Sequence, residues 1–259
     1  MKYFLFTTLA FLMFSCSEPV KDAGGNEGIS GVYELRTISY KGTDLDTSFP
    51  AQQQVKIYTD KYYMYVTTRP DSSAFFGFGS YVFNDSSIVE QSIYNSNALD
   101  SASQTNLKIS RSDTGYSQVQ PGVVMQGNTY EAGETYRTLP ETETTELDGV
   151  WELVNFSNIT GSDTTVIPNK QFKIYKGGHF MWIHRYPIDP SGQKFNTGYG
   201  YGKFIVNKNT VTETITVSNY PELIEAPITI NYELNGNNEL SLIFNDGNST
   251  TTETYRRLN

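Results

Sequence analysis

Along most of the chain, apolar side chains recur at every second position. Phe172 and Ile174, then Phe180 and Trp182, alternate with polar or smaller residues, and Thr, Val, Ile and Tyr dominate these stretches. A period of two sends successive side chains to opposite faces, so the pattern predicts β-strands. Turn-forming clusters break the runs at short intervals: Lys176-Gly177-Gly178, Asp189-Pro190-Ser191-Gly192, Asn207-Lys208-Asn209, Asn235-Gly236-Asn237-Asn238 and Asn245-Asp246-Gly247. Strands joined this closely pair as antiparallel meanders. No stretch carries the periodicity of an amphipathic helix of three turns.

The pattern also repeats. Gly31-Val32-Tyr33-Glu34-Leu35 returns 118 residues later as Gly149-Val150-Trp151-Glu152-Leu153. Lys56-Ile57-Tyr58 returns as Lys173-Ile174-Tyr175, Tyr63-Met64 as Phe180-Met181, and Gly77-Phe78-Gly79 as Gly200-Tyr201-Gly202. Glu134-Thr135-Tyr136-Arg137 returns as Glu253-Thr254-Tyr255-Arg256. Ordered blocks at a nearly constant offset mark a duplicated unit. The expected organisation is a domain at 31–139, an acidic linker at 140–148 and a second domain at 149–259. Each domain is expected to be a small all-β antiparallel meander closed into a barrel, because closure removes exposed strand edges; an open sandwich is the alternative.

Composition narrows the function. The chain has 259 residues, 18% charged and 14% aromatic, which fits folded domains. A net charge of -9 and a pI near 4.8, without a basic stripe, speak against a nucleic-acid partner. With one Cys and two His the chain can form no internal disulfide and offers little for a zinc site, so neither metal nor cofactor is expected.

That single Cys has a specific context. Lys2 precedes an apolar run from Tyr3 to Phe14, the plan of a secretory signal over residues 1–15, too short to span a bilayer. Met13-Phe14-Ser15-Cys16 resembles a loose bacterial lipobox, which makes Cys16 the lipidation site. Residues 16–30 are polar and Gly-containing and read as a flexible tether with a reach of about 20 Å. Ser17 resembles an outer-membrane sorting residue, so the expected location is the bacterial cell envelope, anchored by lipid to the outer membrane.

Catalytic signatures are missing. The sequence has no Gly-x-Ser-x-Gly elbow, no His-Glu-x-x-His and no phosphate-binding glycine loop, and the expectation is no enzymatic activity. His179 and His184 are separated by an odd number of residues, which puts them on opposite faces of one strand. The candidate binding residues are aromatic: Phe180, Trp182 and His184 on one face, Tyr63 and Tyr65 at the matching positions of the first repeat, and Tyr199 and Tyr201 among glycines. Charge at positions where alternation expects apolar side chains marks Glu90 and Glu213, and Arg137 and Arg256, as polar groups of the barrel interior. Buried charges need partners, so Glu and Arg are expected to satisfy one another or another polar group, with Arg stacked on Trp151 or touching a ligand as further readings. Tyr33 and Trp151 are expected to close the barrel ends.

The opening Gly149-Val150-Trp151 and the closing Glu253-Thr254-Tyr255-Arg256 resemble the lipocalin (calycin) pattern, and the blocks between them are similar to lipocalin-like domains of secreted Bacteroidetes lipoproteins. The first domain departs from the pattern, with Tyr33 in place of Trp. The resemblance implies a barrel holding a small apolar or amphipathic molecule, and the leading expectation is a membrane-anchored binding lipoprotein with its ligand in the second domain. Two alternatives stand beside it: a structural or partner-binding envelope lipoprotein with filled barrels, and a tandem β-sandwich glycan-binding lipoprotein.

Overall fold

A computed structural model describes residues 28–69, 73, 75–96, 103–189 and 194–259. Cys16, the signal and most of the tether lie outside the described residues. The first repeat folds into β1 (Gly31–Lys41), β2 (Asp46–Pro50), β3 (Gln54–Tyr58), β4 (Tyr62–Thr67), β5 (Phe75–Asn84), β6 (Ser87–Asn95), β7 (Ser103–Ser112), β8 (Gly115–Met125) and β9 (Asn128–Thr138). The second gives β10 (Gly149–Thr160), β11 (Asp163–Val166), β12 (Lys170–Lys176), β13 (His179–Pro187), β14 (Phe195–Asn207), β15 (Thr210–Ser218), β16 (Pro227–Asn235), β17 (Glu239–Asn245) and β18 (Ser249–Leu258). Between β15 and β16 runs a short 3-10 turn, Pro221–Leu223.

Each repeat is an antiparallel meander whose last strand returns to the first, β9 on β1 and β18 on β10. β2 and β3 lie end to end along β1, as β11 and β12 do along β10, and each such pair fills one position. The result is two closed eight-stranded barrels in tandem. Closure decides between the expected alternatives: no sandwich of open sheets forms, because β1 and β10 are hydrogen-bonded on both sides. The barrels share their irregularities, with register shifts after Leu35 and Leu153 opposite the last strands and at Gly79, between β5 and β6, and Gly202, between β14 and β15. At Gly202 an added Cβ would lie 1.9 Å from the Thr214 carbonyl oxygen, so only glycine allows the backbones to approach there.

One end of each barrel is closed in the same way. The Trp151 indole, fully buried, donates to the Leu147 carbonyl at 2.8 Å, and the Tyr33 hydroxyl donates to the Ile29 carbonyl at 3.0 Å. Leu147 and Ile29 are themselves buried, so the segment before each first strand stops the barrel. The Arg over Trp151 is Arg257, 4.0 Å from the ring, whose guanidinium also donates to the Asp148 and Glu146 carbonyls.

Both faces of the central strands are buried. Inward, Tyr33, Tyr58, Tyr81, Tyr116 and Tyr136 fill the first barrel, and Trp151, Tyr175, Phe180, Phe204, Leu240 and Leu242 belong to the core of the second. Outward, β3–β5 pack against β12–β14 in a third apolar cluster between the barrels, where Phe78 stacks on Phe172 with ring centroids 4.3 Å apart. Its members are repeat mates: Val55 and Phe172, Ile57 and Ile174, Met64 and Met181, Val66 and Ile183, Phe76 and Tyr199, Phe78 and Tyr201. The same patch of both barrels meets itself, the geometry of an isologous dimer within one chain.

Candidate functional site

The second barrel contains a cavity of about 310 Å³. Trp182, His184 and Tyr186 of β13 face it, with Gln171 and Lys173 of β12, Glu213 and Ile215 of β15, Ile228 and Ile230 of β16, Phe244 of β17 and Glu253 of β18. Tyr220, Glu222 and Leu223 contribute from the 3-10 segment. Alternation on each strand places these side chains inside, as it does Phe180, which packs deeper in the barrel core.

Polar groups at the cavity floor form two hydrogen-bonded sets. Lys173 pairs with Glu213 at 2.9 Å, and both side chains are almost wholly buried. The Tyr175 hydroxyl donates to the same carboxylate, the Gln171 amide to the Tyr255 hydroxyl, and Tyr255 to Glu253 at 2.5 Å. Burial, reinforced by Glu213 beside Tyr175 and by Glu253 beside Tyr255, raises both phenol pKa values far above the ordinary range and keeps them as donors. Glu253 is raised too, chiefly by burial, with Lys173 and Tyr255 working against the rise.

An aromatic wall faces this floor. Trp182 and His184 lie 5.0 Å apart, Tyr220 stacks near Trp182 at 6.2 Å, and the Tyr220 hydroxyl lies 2.9 Å from His184 Nε2. Burial lowers the His184 pKa to about 4, so the ring is neutral at neutral pH. Glycines of β14 seat these rings: a Cβ on Gly198 would lie 2.3 Å from Tyr220, and one on Gly200 2.5 Å from Trp182.

The first barrel repeats these contacts and adds two side chains to them. Lys56 pairs with Glu90 at 2.6 Å, Tyr58 donates to Glu90, Gln54 to Tyr136 and Tyr136 to Glu134. Opposite Tyr136 and Glu134, however, stand Tyr116 and Gln118, where the second barrel has Leu240 and Leu242 opposite Tyr255 and Glu253. Tyr116 stacks on Tyr136 at 4.7 Å and Gln118 donates to Glu134 at 2.6 Å. Leu240 and Leu242 can make neither contact. Tyr63 and Tyr65 therefore line the first barrel's interior around Lys56, whose ammonium lies 5.2 and 5.9 Å from their rings.

Several sequence-based site residues lie elsewhere. Tyr199 and Tyr201 are opposite Ile183 and Met181, and residues directly opposite share a face, so both sit between the barrels instead of in the cavity. The Tyr201 hydroxyl meets His179 Nδ1 at 2.7 Å, and His179 Nε2 faces the Pro140 carbonyl at 2.9 Å, so this His is a buried, satisfied residue on the outer face. Arg137 and Arg256 point outward and pair with Glu34 and Glu152, each at 2.7 Å. Their neighbours Leu139 and Leu258 pack against the cluster between the barrels, so the face they share is the outer one. Glu90 and Glu213 are interior, but their partners are lysines. Sequence reasoning missed Lys56 and Lys173 because each sits between two buried apolar neighbours; its recurrence two residues before a Tyr in both repeats was the available signal.

A family model described as "Domain of unknown function (DUF4488)" matches residues 146–259, the second barrel with its closing segment. Among curated proteins none matches the chain. Two solved structures are similar over most of its length. One is a Nostoc punctiforme protein of unknown function from the DUF3598 family, 12% identical, covering 88% of this chain and 96% of that one, with a TM-score of 0.26. The other is a Bacteroides fragilis protein described as a "putative outer membrane protein", 14% identical, covering 89% of this chain and 98% of that one, also with a TM-score of 0.26.

Proposed function

We propose that the protein is a lipid-anchored envelope protein that binds one small amphipathic molecule inside its second barrel, without catalysis. The carrying observation is the difference between the repeats: the same polar contacts built twice, extended by Tyr116 and Gln118 in the first barrel and facing about 310 Å³ of space in the second. That volume lies at the lower end of small-molecule sites, and its apolar wall with a few convergent polar groups is the usual make-up of one. Lys173 and Glu213 are held in a mutual pair, and His184, with its pKa lowered to about 4, is a weak base at neutral pH, which supports binding over acid–base chemistry. The filled first barrel acts as a structural partner. Anchoring rests on the apolar run ending at Cys16.

Matched octyl probes test the reading. Titrated calorimetrically into the purified protein, at least one of octylammonium, 1-octanol and octanoate binds once per chain, and Ile230→Trp, which fills the cavity, abolishes it while the melting transition persists. Failure of all three probes, or equal binding to the variant, overturns the proposal.

A further inference from the structure

We infer that the ligand is an organic cation, its ammonium group drawn to Glu253 and the Trp182–Tyr220 wall and its apolar part set against Ile215, Ile228 and Ile230. The inference rests on the cavity being the binding site and adds the chemical class. Four charged side chains face the cavity: Lys173, Glu213, Glu253 and Glu222. The first two form a pair at 2.9 Å and cancel, which leaves two carboxylates in excess.

Glu253 is the decisive one. The groups that hydrogen-bond it, the Tyr255 hydroxyl and the Gln171 amide, are neutral, and among the described residues no cationic side chain lies within ion-pairing distance. Its repeat mate Glu134 receives a further hydrogen bond from Gln118 opposite, whereas opposite Glu253 stands Leu242, which has nothing to donate. A buried carboxylate with unused acceptor capacity, next to open space, is completed by a charged donor from outside.

The ring wall favours the same charge. Trp182 and Tyr220 lie 26° from parallel, and aromatic faces attract cations most where water is excluded. The neutral His184 adds no opposing charge. An anion would meet the carboxylates in excess, and a neutral donor could add a hydrogen bond to Glu253 but would leave its charge unbalanced.

The octyl series separates the classes in the wild-type protein. Octylammonium is expected to bind about tenfold or more tightly than 1-octanol, with octanoate weakest. Glu253→Gln is expected to lower octylammonium affinity about tenfold, to the level of 1-octanol. Equal affinities, or a preference for 1-octanol or octanoate, overturn the cation assignment and leave the cavity as a binding site. If none of the three binds, both readings fall. Because the wild-type ranking is decisive alone, the test survives a Glu253→Gln variant that does not fold.

Discussion

His184 shows how a single side chain links the cavity to stability. Burial lowers its pKa to about 4, whereas in the unfolded chain it titrates near its ordinary value of about 6.5. Above about pH 6.5 both states hold the ring neutral and it adds no pH dependence. As the pH falls through this window the unfolded state takes up a proton that the folded state refuses, so stability declines and the loss levels off near pH 4. The full effect is at most about 3 kcal/mol. His179, also lowered by burial, adds in the same direction, while Glu253, raised by burial, works oppositely and costs stability as the pH rises from its unfolded value. The expected outcome is that His184→Gln loses less stability than the wild type between pH 7 and pH 4.5 in urea denaturation. Identical losses would show that the ring is not held neutral by the fold.

At the scale of the element, β14 decides the shape of the cavity without lending it a side chain. Gly198 and Gly200 alternate with Tyr199 and Tyr201, so the strand presents bare backbone inward, where Tyr220, His184 and Trp182 lie on it, and aromatic rings outward to the other barrel. Gly200→Ala would put a methyl group 2.5 Å from the Trp182 ring and push the indole into the cavity. The expected cost is about 1–3 kcal/mol, as for other overpacked sites, together with weaker binding of the octyl probes and a changed Trp fluorescence. Unaltered binding would mean that the ring position does not define the pocket. The glycine periodicity was visible in the sequence, and so was the close approach it permits. Which side the intervening tyrosines serve was not, since it depends on the register with β13.

At the scale of the whole molecule, the duplication does more than add a second barrel. Each barrel presents an outer face that water would otherwise cover, and the two faces bury each other through repeat-related residues. Phe172 lies at the centre of this contact, stacked on Phe78 and 5.5 Å from Tyr94. Phe172→Asp is expected to remove on the order of 3–5 kcal/mol of packing and to split a shared thermal transition into two, with β-structure retained in each barrel. Scanning calorimetry decides the point, and a single transition at unchanged temperature would show that the barrels were never coupled through this face. The segment joining them is bound too: Glu141 pairs with Lys176, Thr142 donates to the Gly177 carbonyl, and the Gly177 amide donates to Asp148.

Alternation, turn spacing and the ordered repeat by themselves determined the strands, the two meanders and the burial of Glu90 and Glu213, because each is written in local periodicity and in the mismatch of charge with apolar neighbours. The role of Trp151 and Tyr33 at the barrel ends was legible from the recurring opening block, Gly31-Val32-Tyr33 and Gly149-Val150-Trp151. Tertiary structure alone decided that both faces of β3–β5 and β12–β14 are buried, since a period of two distinguishes the faces and does not say what covers them. It decided that lysine, not arginine, answers the buried glutamates, because the arginines follow the inward tyrosines by one residue and so point outward. It also decided which barrel is open. Leu240 and Leu242 stand in the places of Tyr116 and Gln118, a difference that acquires meaning only once the strands close and set those residues against Tyr255 and Glu253.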